Sequence, residues 1–110
     1  MHTVAEMPEF TRSATGVLNA AEVQALIEHL AQKPRAGVLI PGTGGIRKLR
    51  WARSGMGKSG GARVIYYYHD ECFPLYLLSV FAKGDKANLS RAEANELHTL
   101  VKLLVKAAGV

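Results

Sequence analysis

The stretch Pro-Gly-Thr-Gly-Gly-Ile-Arg-Lys-Leu-Arg-Trp-Ala-Arg at residues 41–53 decides how this chain folds. It opens with a glycine turn at 41–45, and the alternation of basic and apolar side chains that follows predicts a strand at 46–53. Because neighbouring side chains of a strand point to opposite faces, Lys48 and Arg50 share one face and apolar side chains take the other. The strand therefore has a charged face and a face for a core.

Two more strands are predicted downstream, after a loop of Gly, Ser and Lys at 54–61. Residues 63–68 form a β-rich run in which Arg63 and Tyr67 share a face. A short polar turn then leads into the apolar run Leu75–Phe81, which is typical of a central strand. The polar turn between two β-rich runs predicts a hairpin.

Two helices have clear start signals. Asn19 can cap a helix whose third residue is Glu22, and Pro34 ends the helical pattern that follows. Ser90 and Glu93 repeat the same capping pattern before the last helix of the chain. Apolar side chains recur at helical spacing after both caps, so each helix buries one face.

These elements predict a single α+β domain over residues 1–110. A short strand at 3–5 and a short helix ending near Ala14 precede the helix capped by Asn19. We expect the N-terminal helices to pack on a small, curved, mostly antiparallel sheet of three to four strands, with the last helix at the C-terminus.

Composition favours a folded, basic, intracellular protein. Apolar residues make up 48% of the chain, and 14 Lys and Arg against nine Asp and Glu give a net charge of +5. The chain has neither an apolar run of membrane-spanning length nor the basic and apolar regions of a signal peptide at its start. One cysteine, Cys72, cannot form an internal disulfide. We therefore expect a cytoplasmic protein that meets a polyanion.

Several kinds of catalytic site are disfavoured. Gly57-Lys58-Ser59 lacks the earlier glycine of a phosphate-binding loop, since Ala52 stands there, and a β-rich run follows it instead of a helix. The four histidines are scattered without the spacing of metal ligands, so no metal or other cofactor is predicted. Cys72 is expected to be a buried or half-buried apolar side chain rather than a nucleophile. The sheet stretch offers no paired carboxylates.

The remaining candidate for a functional site is a cluster of basic residues on neighbouring strands. Between Glu28 and Asp70 the chain has neither Asp nor Glu, but it has eight of its 14 Lys and Arg residues. Unpaired positive charge gathered on a sheet suits a nucleic-acid backbone, and one ring, Tyr67, is placed to stack on a base. The members of the cluster are Arg47, Lys48, Arg50, Arg53, Lys58, Arg63 and Lys83.

Four segments of the chain together resemble the RelE-type toxins of bacterial toxin–antitoxin pairs, and most closely their HigB-like branch. The most specific segment is Lys-Ser-Gly-Gly-Ala-Arg-Val-Ile-Tyr-Tyr at 58–67. The others are the glycine turn, Ile-Arg-Lys-Leu-Arg-Trp at 46–51 and Leu-Ser-Val-Phe-Ala-Lys at 78–83. The element order agrees over roughly residues 1–107.

The resemblance implies a small RelE-like α+β toxin that cleaves mRNA in the ribosomal A site without a metal and so inhibits translation. It also implies neutralisation by a cognate antitoxin, usually a helix-turn-helix protein, in a complex that can bind operator DNA. Cleavage through the RNA 2′-hydroxyl needs a proton acceptor, stabilisation of the charged phosphorus centre and a proton donor to the leaving oxygen.

The family's basic positions carry over residue by residue. Lys48 and Arg50 match the basic strand, Arg63 matches the arginine that opens the next strand, and Lys83 matches the basic residue that ends the last strand. The resemblance thus implies that Arg63 stabilises the scissile phosphate and that Lys48 is the base, since neighbouring cations favour a neutral lysine. Lys83 or Arg50 aids phosphate binding or protonation, with Arg47, Arg53, Lys58 and Tyr67 in the RNA-binding surface.

An alternative from a different class stays open. A basic protein of this size can bind nucleic acid or a partner without chemistry, and an inactive relative of a toxin would do so. A transcription regulator acting alone is disfavoured, because no suitably spaced helix pair has a basic second helix.

Overall fold

A computed structural model describes residues 2–52, 61–82 and 88–107, and in these ranges the chain forms five strands and three helices. In chain order the elements are β1 Val4–Glu6, α1 Pro8–Ala14, α2 Ala20–Gln32, β2 Val38–Leu39, β3 Ile46–Trp51, β4 Ala62–Tyr67, β5 Leu75–Ala82 and α3 Arg91–Ala107. The predicted α+β class, with helices before the main strands and a helix after them, is confirmed.

The described strands form one sheet in the order β1-β5-β4-β3-β2. β5, β4, β3 and β2 pair antiparallel, and β1 joins β5 in parallel. The sheet thus has five strands instead of the expected three to four, because two short segments add its edges. The short strand predicted at 3–5 is present as β1, with three residues, whereas β2 has only two residues and is too short for a pattern to predict.

Both faces of the sheet are covered, which is why every residue of β4 is buried. α1 and α2 cover one face, and α3 lies over the other. The first face centres on Phe10, Leu26, Leu30, Val64, Tyr66 and Leu77. The second centres on Ile46, Ile65, Tyr67, Leu78, Phe81 and Val101. A register shift opposite Ile65 and Tyr66 in β4 is a bulge-like irregularity that changes which β5 residues reach each face.

The predicted helix caps are present. The Asn19 side chain accepts from the Glu22 N–H while the Glu22 carboxylate accepts from the Asn19 N–H, both at 2.8 Å. Ser90 and Glu93 make the same reciprocal pair at 2.9 and 3.1 Å before α3. Each pair satisfies two of the N–H groups that a helix start would leave unpaired.

Cys72 is exposed, so the expectation of a buried or half-buried side chain was wrong. It lies in a tight turn in which the Asp70 carboxylate accepts from the Cys72 N–H at 2.9 Å and the Asp70 carbonyl accepts from the Phe73 N–H at 3.3 Å. This turn directs the next side chain, Phe73, into the α3-side core at 3% exposure. Within the described residues no helix is long and apolar enough to cross a membrane.

Candidate functional site

Three of the four predicted catalytic side chains share the α3 side of the sheet. Arg50 in β3 stands directly opposite Arg63 in β4, and Lys48 stands opposite Ile65, two residues along. Directly opposed residues of an antiparallel pair point to the same face, as do residues two apart on one strand. The antiparallel pairing of β3 with β4 is therefore what brings these cations together.

Arg63 is a buried cation at the end of this row. It is 5% exposed, and its guanidinium donates a long hydrogen bond, 3.4 Å, to the carbonyl of Ala62. Among the described residues no carboxylate lies within 4.0 Å of Arg63, Arg50 or Lys48. Burying a cation without a counter-charge is costly, and like charges directly opposite each other across a sheet are destabilising. The arrangement favours an anion that binds both guanidinium groups.

A cleft of about 330 Å³ opens where β3 ends and β4 begins. Its described lining combines the Arg50 and Arg63 cations with an indole and small residues that let a ligand approach the backbone. The lining residues are Arg50, Trp51, Ala52, Gly61 and Arg63. A phosphate with part of its nucleotide suits a cleft of this mixed polar and apolar character.

Lys48 is positioned by a residue that the sequence analysis did not single out. Its Nζ donates to Oδ1 of Asn88 at 2.6 Å. Asn88 lies 40 residues further along the chain, just before the Ser90 cap of α3. The contact places α3 over the sheet with the lysine at its N-terminal end. A local pattern holds no signal for a pair so far apart in sequence.

Arg47 lies on the other face of the sheet, opposite Tyr66 in β4. Its guanidinium donates to the carbonyls of Gly37 at 2.7 Å and Arg35 at 3.3 Å, and its Nε is buried without a hydrogen-bond partner in the described residues. The side chain thus fastens the segment between α2 and β2. Its predicted role in RNA binding stays a prediction, and these contacts give it a structural one.

Tyr66 also fastens the segment between α2 and β2, through hydrogen bonds of its hydroxyl. Its side chain is fully buried, its hydroxyl accepts from the Gly37 N–H at 2.8 Å, and it donates to the Pro34 carbonyl at 2.8 Å. Burial raises the pKa of Tyr66 above its ordinary value of 10.0, so the hydroxyl keeps its proton. A Cβ on Gly37 would lie 2.8 Å from the Tyr66 ring, which explains why a glycine stands there.

Tyr67 shares a face with Arg63 as predicted, but this face lies under α3 and Tyr67 is only 3% exposed. Its ring packs edge-on against Phe73, and its hydroxyl lies 3.2 Å from Nδ1 of His69. Burial, and secondarily the nearby Asp70 carboxylate, raise the pKa of Tyr67. A ring enclosed in this way offers no free face to a base, so stacking by Tyr67 gains no support from its surroundings.

The remaining predicted site residues, Arg53, Lys58 and Lys83, lie outside the described residues, as does the Gly-Lys-Ser segment at 57–59. Over residues 2–52, 61–82 and 88–107, no group of three or more His, Cys, Asp or Glu side chains could hold a metal ion.

A protein-family model matches this chain. The family model described as "RelE toxin of RelE / RelB toxin-antitoxin system" matches residues 9–109 of this chain, which is nearly its whole length. The match includes both helices that cover one face of the sheet, the basic strand β3, the β4 arginine and α3. The chain therefore belongs to the RelE family of toxins of toxin–antitoxin systems.

Proposed function

We propose that this toxin is a ribosome-dependent mRNA endoribonuclease of the HigB-like branch, which cleaves through the RNA 2′-hydroxyl and so inhibits translation. One observation carries the proposal: the buried Arg63 guanidinium lies directly opposite Arg50 at a cleft, without a carboxylate partner among the described residues. The positive charge of this pair is not balanced by a carboxylate of the described residues, and an RNA phosphate provides the negative charge that balances it.

The proposed reaction uses a nucleophile that the substrate itself provides. The 2′-oxygen attacks the adjacent phosphorus and passes its proton to Lys48, and the bond from phosphorus to the 5′-oxygen breaks. The departing 5′-oxygen takes a proton from Arg50 or Lys83, leaving a 2′,3′-cyclic phosphate and a 5′-hydroxyl. Charge builds on the non-bridging oxygens during attack, where the fixed Arg63 guanidinium stabilises it.

The structure supports the different roles given to the three cations. Arg63 is buried and held in place by the sheet, which suits electrostatic stabilisation without reorganisation. Lys48 has a flexible stem and donates a hydrogen bond to Asn88, so its amine is oriented and remains partly accessible for proton transfer. Arg50 is exposed at the mouth of the cleft, where an incoming phosphate meets it first.

Replacing Arg63 tests the proposal. Brief expression of the parent toxin is expected to stop growth and to create new 5′-hydroxyl ends on mRNA, whereas Arg63→Ala abolishes both. Losing one charged stabiliser of a transition state costs about 10²–10³-fold in rate. Arg12→Ala is the matched control, because it removes an equal charge from an exposed position on α1, on the other side of the sheet.

Thermal unfolding of purified Arg63→Ala shows whether loss of toxicity reflects loss of the fold. If the Arg63→Ala, Lys48→Ala double variant folds and remains fully toxic, the assigned roles are wrong. If the parent binds RNA with steep salt dependence but creates no new mRNA ends, the protein is a non-catalytic binding module.

A further inference from the structure

The outer edge of the sheet carries two large apolar side chains that nothing in the described chain covers. Val38 and Leu39 of β2 are 72% and 53% exposed, although apolar side chains of this size are usually buried. They lie on opposite faces, because Val38 pairs with Lys48 and Leu39 pairs with Arg47. A partner that covers both side chains must contact the edge strand on both faces of the sheet.

This edge is held rigidly. The Tyr66 hydroxyl and the Arg47 guanidinium bind the N–H and the carbonyl of Gly37, the residue before β2, at 2.8 and 2.7 Å. After β2, the Ile40 N–H donates to the Ile46 carbonyl at 2.8 Å. Two exposed apolar side chains on a fastened strand form a preorganised surface, which lowers the entropy lost on binding.

The same contacts limit how the edge can be used. Val38 and Ile40 direct their backbone groups toward β3, so by alternation only Leu39 within β2 presents a free N–H and carbonyl outward. Pro41 has no N–H, and Gly37 is already engaged. Pairing of long strands is therefore blocked, and side chains must supply most of the contact.

Charge identifies the occupant. The edge is bordered by Arg47 and Lys48 of the paired strand β3, and the chain from 29 to 69 contains neither Asp nor Glu. A second copy of this protein would bring an equally basic border to the contact and be repelled. An apolar side chain flanked by carboxylates complements the surface. Family membership supplies a partner, the cognate antitoxin.

We propose that an acidic segment of the cognate antitoxin docks on the β2 edge, with Val38 and Leu39 as its apolar anchors. Val38 lies beside Lys48 on the α3 side, so the docked segment covers Lys48 and closes one end of the candidate site to RNA. This consequence for catalysis rests on the proposed function, whereas the docking itself does not.

Calorimetric titration of the full toxin with the full antitoxin of the same operon tests the docking. Val38→Asp and Leu39→Asp are each expected to weaken binding by about tenfold or more, the value of one buried aliphatic side chain. Leu103→Asp is the matched control, because Leu103 is 60% exposed on α3. Equal effects of Val38→Asp and Leu103→Asp would overturn the proposal.

A third variant tests the charge of the partner. Val38→Lys and Val38→Asp both remove the apolar contact, but the lysine adds a positive charge and the aspartate a negative one. An acidic partner is therefore expected to bind Val38→Lys more tightly than Val38→Asp. If both variants bind equally, or Val38→Asp binds more tightly, the partner segment is not acidic and the proposal fails. Thermal unfolding of each free variant shows that the fold is retained.

Lysine acetylation of the free toxin and of the complex, read by mass spectrometry, locates the contact. Lys48 is expected to be protected in the complex, whereas Lys102 and Lys106 stay reactive. Protection of Lys102 and Lys106 without Lys48 would place the partner in the groove between α3 and the glycine turn, which these lysines border, and would overturn the proposal. Because the two readouts need no catalysis, a toxin that cleaves no RNA would refute the proposed function alone.

Discussion

Removal of a single oxygen atom from Tyr66 is expected to destabilise the fold strongly. In Tyr66→Phe the ring stays in the core, but the Gly37 N–H and the Pro34 carbonyl each lose a partner at 2.8 Å. Each hydrogen bond contributes about 1 kcal/mol net, and a buried group left unpaired costs about 1–3 kcal/mol. The free energy of unfolding should therefore fall by about 2–3 kcal/mol.

Chemical denaturation followed by circular dichroism measures this loss, and thermal unfolding should show a midpoint lower by about 10 °C or more. Tyr68→Phe is the matched control. Tyr68 lies on the same face and is 6% exposed, but its hydroxyl makes no hydrogen bond within the described residues. If the two substitutions destabilise the protein equally, the Tyr66 contacts do not fasten the segment before β2 as described.

Four further outcomes are expected from the same structure. Arg47→Met should lower the free energy of unfolding by about 1–3 kcal/mol, measured by denaturation, because it frees two carbonyls from their donor. Arg63→Met should raise it by about 0.2–1 kcal/mol at low salt, since it ends the repulsion from Arg50, and a fall would show that the described residues, which offer Arg63 no carboxylate, do not give the full balance of charge around it. Asn19→Ala should cost about 1 kcal/mol through the lost cap, seen as a lower thermal midpoint. Burial raises the pKa of Tyr67, so as pH rises the unfolded chain releases this proton before the folded protein does. The contribution of Tyr67 to stability is therefore complete below pH 10 and declines as pH rises toward the folded pKa. Tyr67→Phe should therefore weaken the alkaline loss of stability, measured by denaturation in a pH series, and an unchanged slope would refute this.

Much of the fold could be predicted because its signals are local. The alternation in β3 correctly separates Lys48 and Arg50 from Trp51, and both caps are read from residues three apart. The edge strand β2 could not be predicted in the same way. A strand of two residues, such as Val38–Leu39, exists only because β3 offers a partner, and that information is tertiary.

The candidate site, too, could be predicted from local patterns only in part. Alternation predicts that Lys48 and Arg50 share a face, but the opposition of Arg50 and Arg63 depends on the register of β3 and β4. The burial of a side chain was harder to predict than the face of the sheet on which it lies. Tyr67 faces the predicted side and yet lies beneath α3, because a helix beginning 24 residues later covers that face.

The position of Arg63 in the sheet explains how one residue can be both buried and functional. β4 is the central strand, enclosed on both faces and both edges, so a charge at its interior would be prohibitive. Arg63 is instead the second residue of β4, where the strand emerges from the core at the cleft. There its stem packs in the core while its guanidinium remains at the cleft. A phosphate arriving at this point meets a cation that is already oriented and partly desolvated, which is the condition under which electrostatic stabilisation of a transition state is strongest.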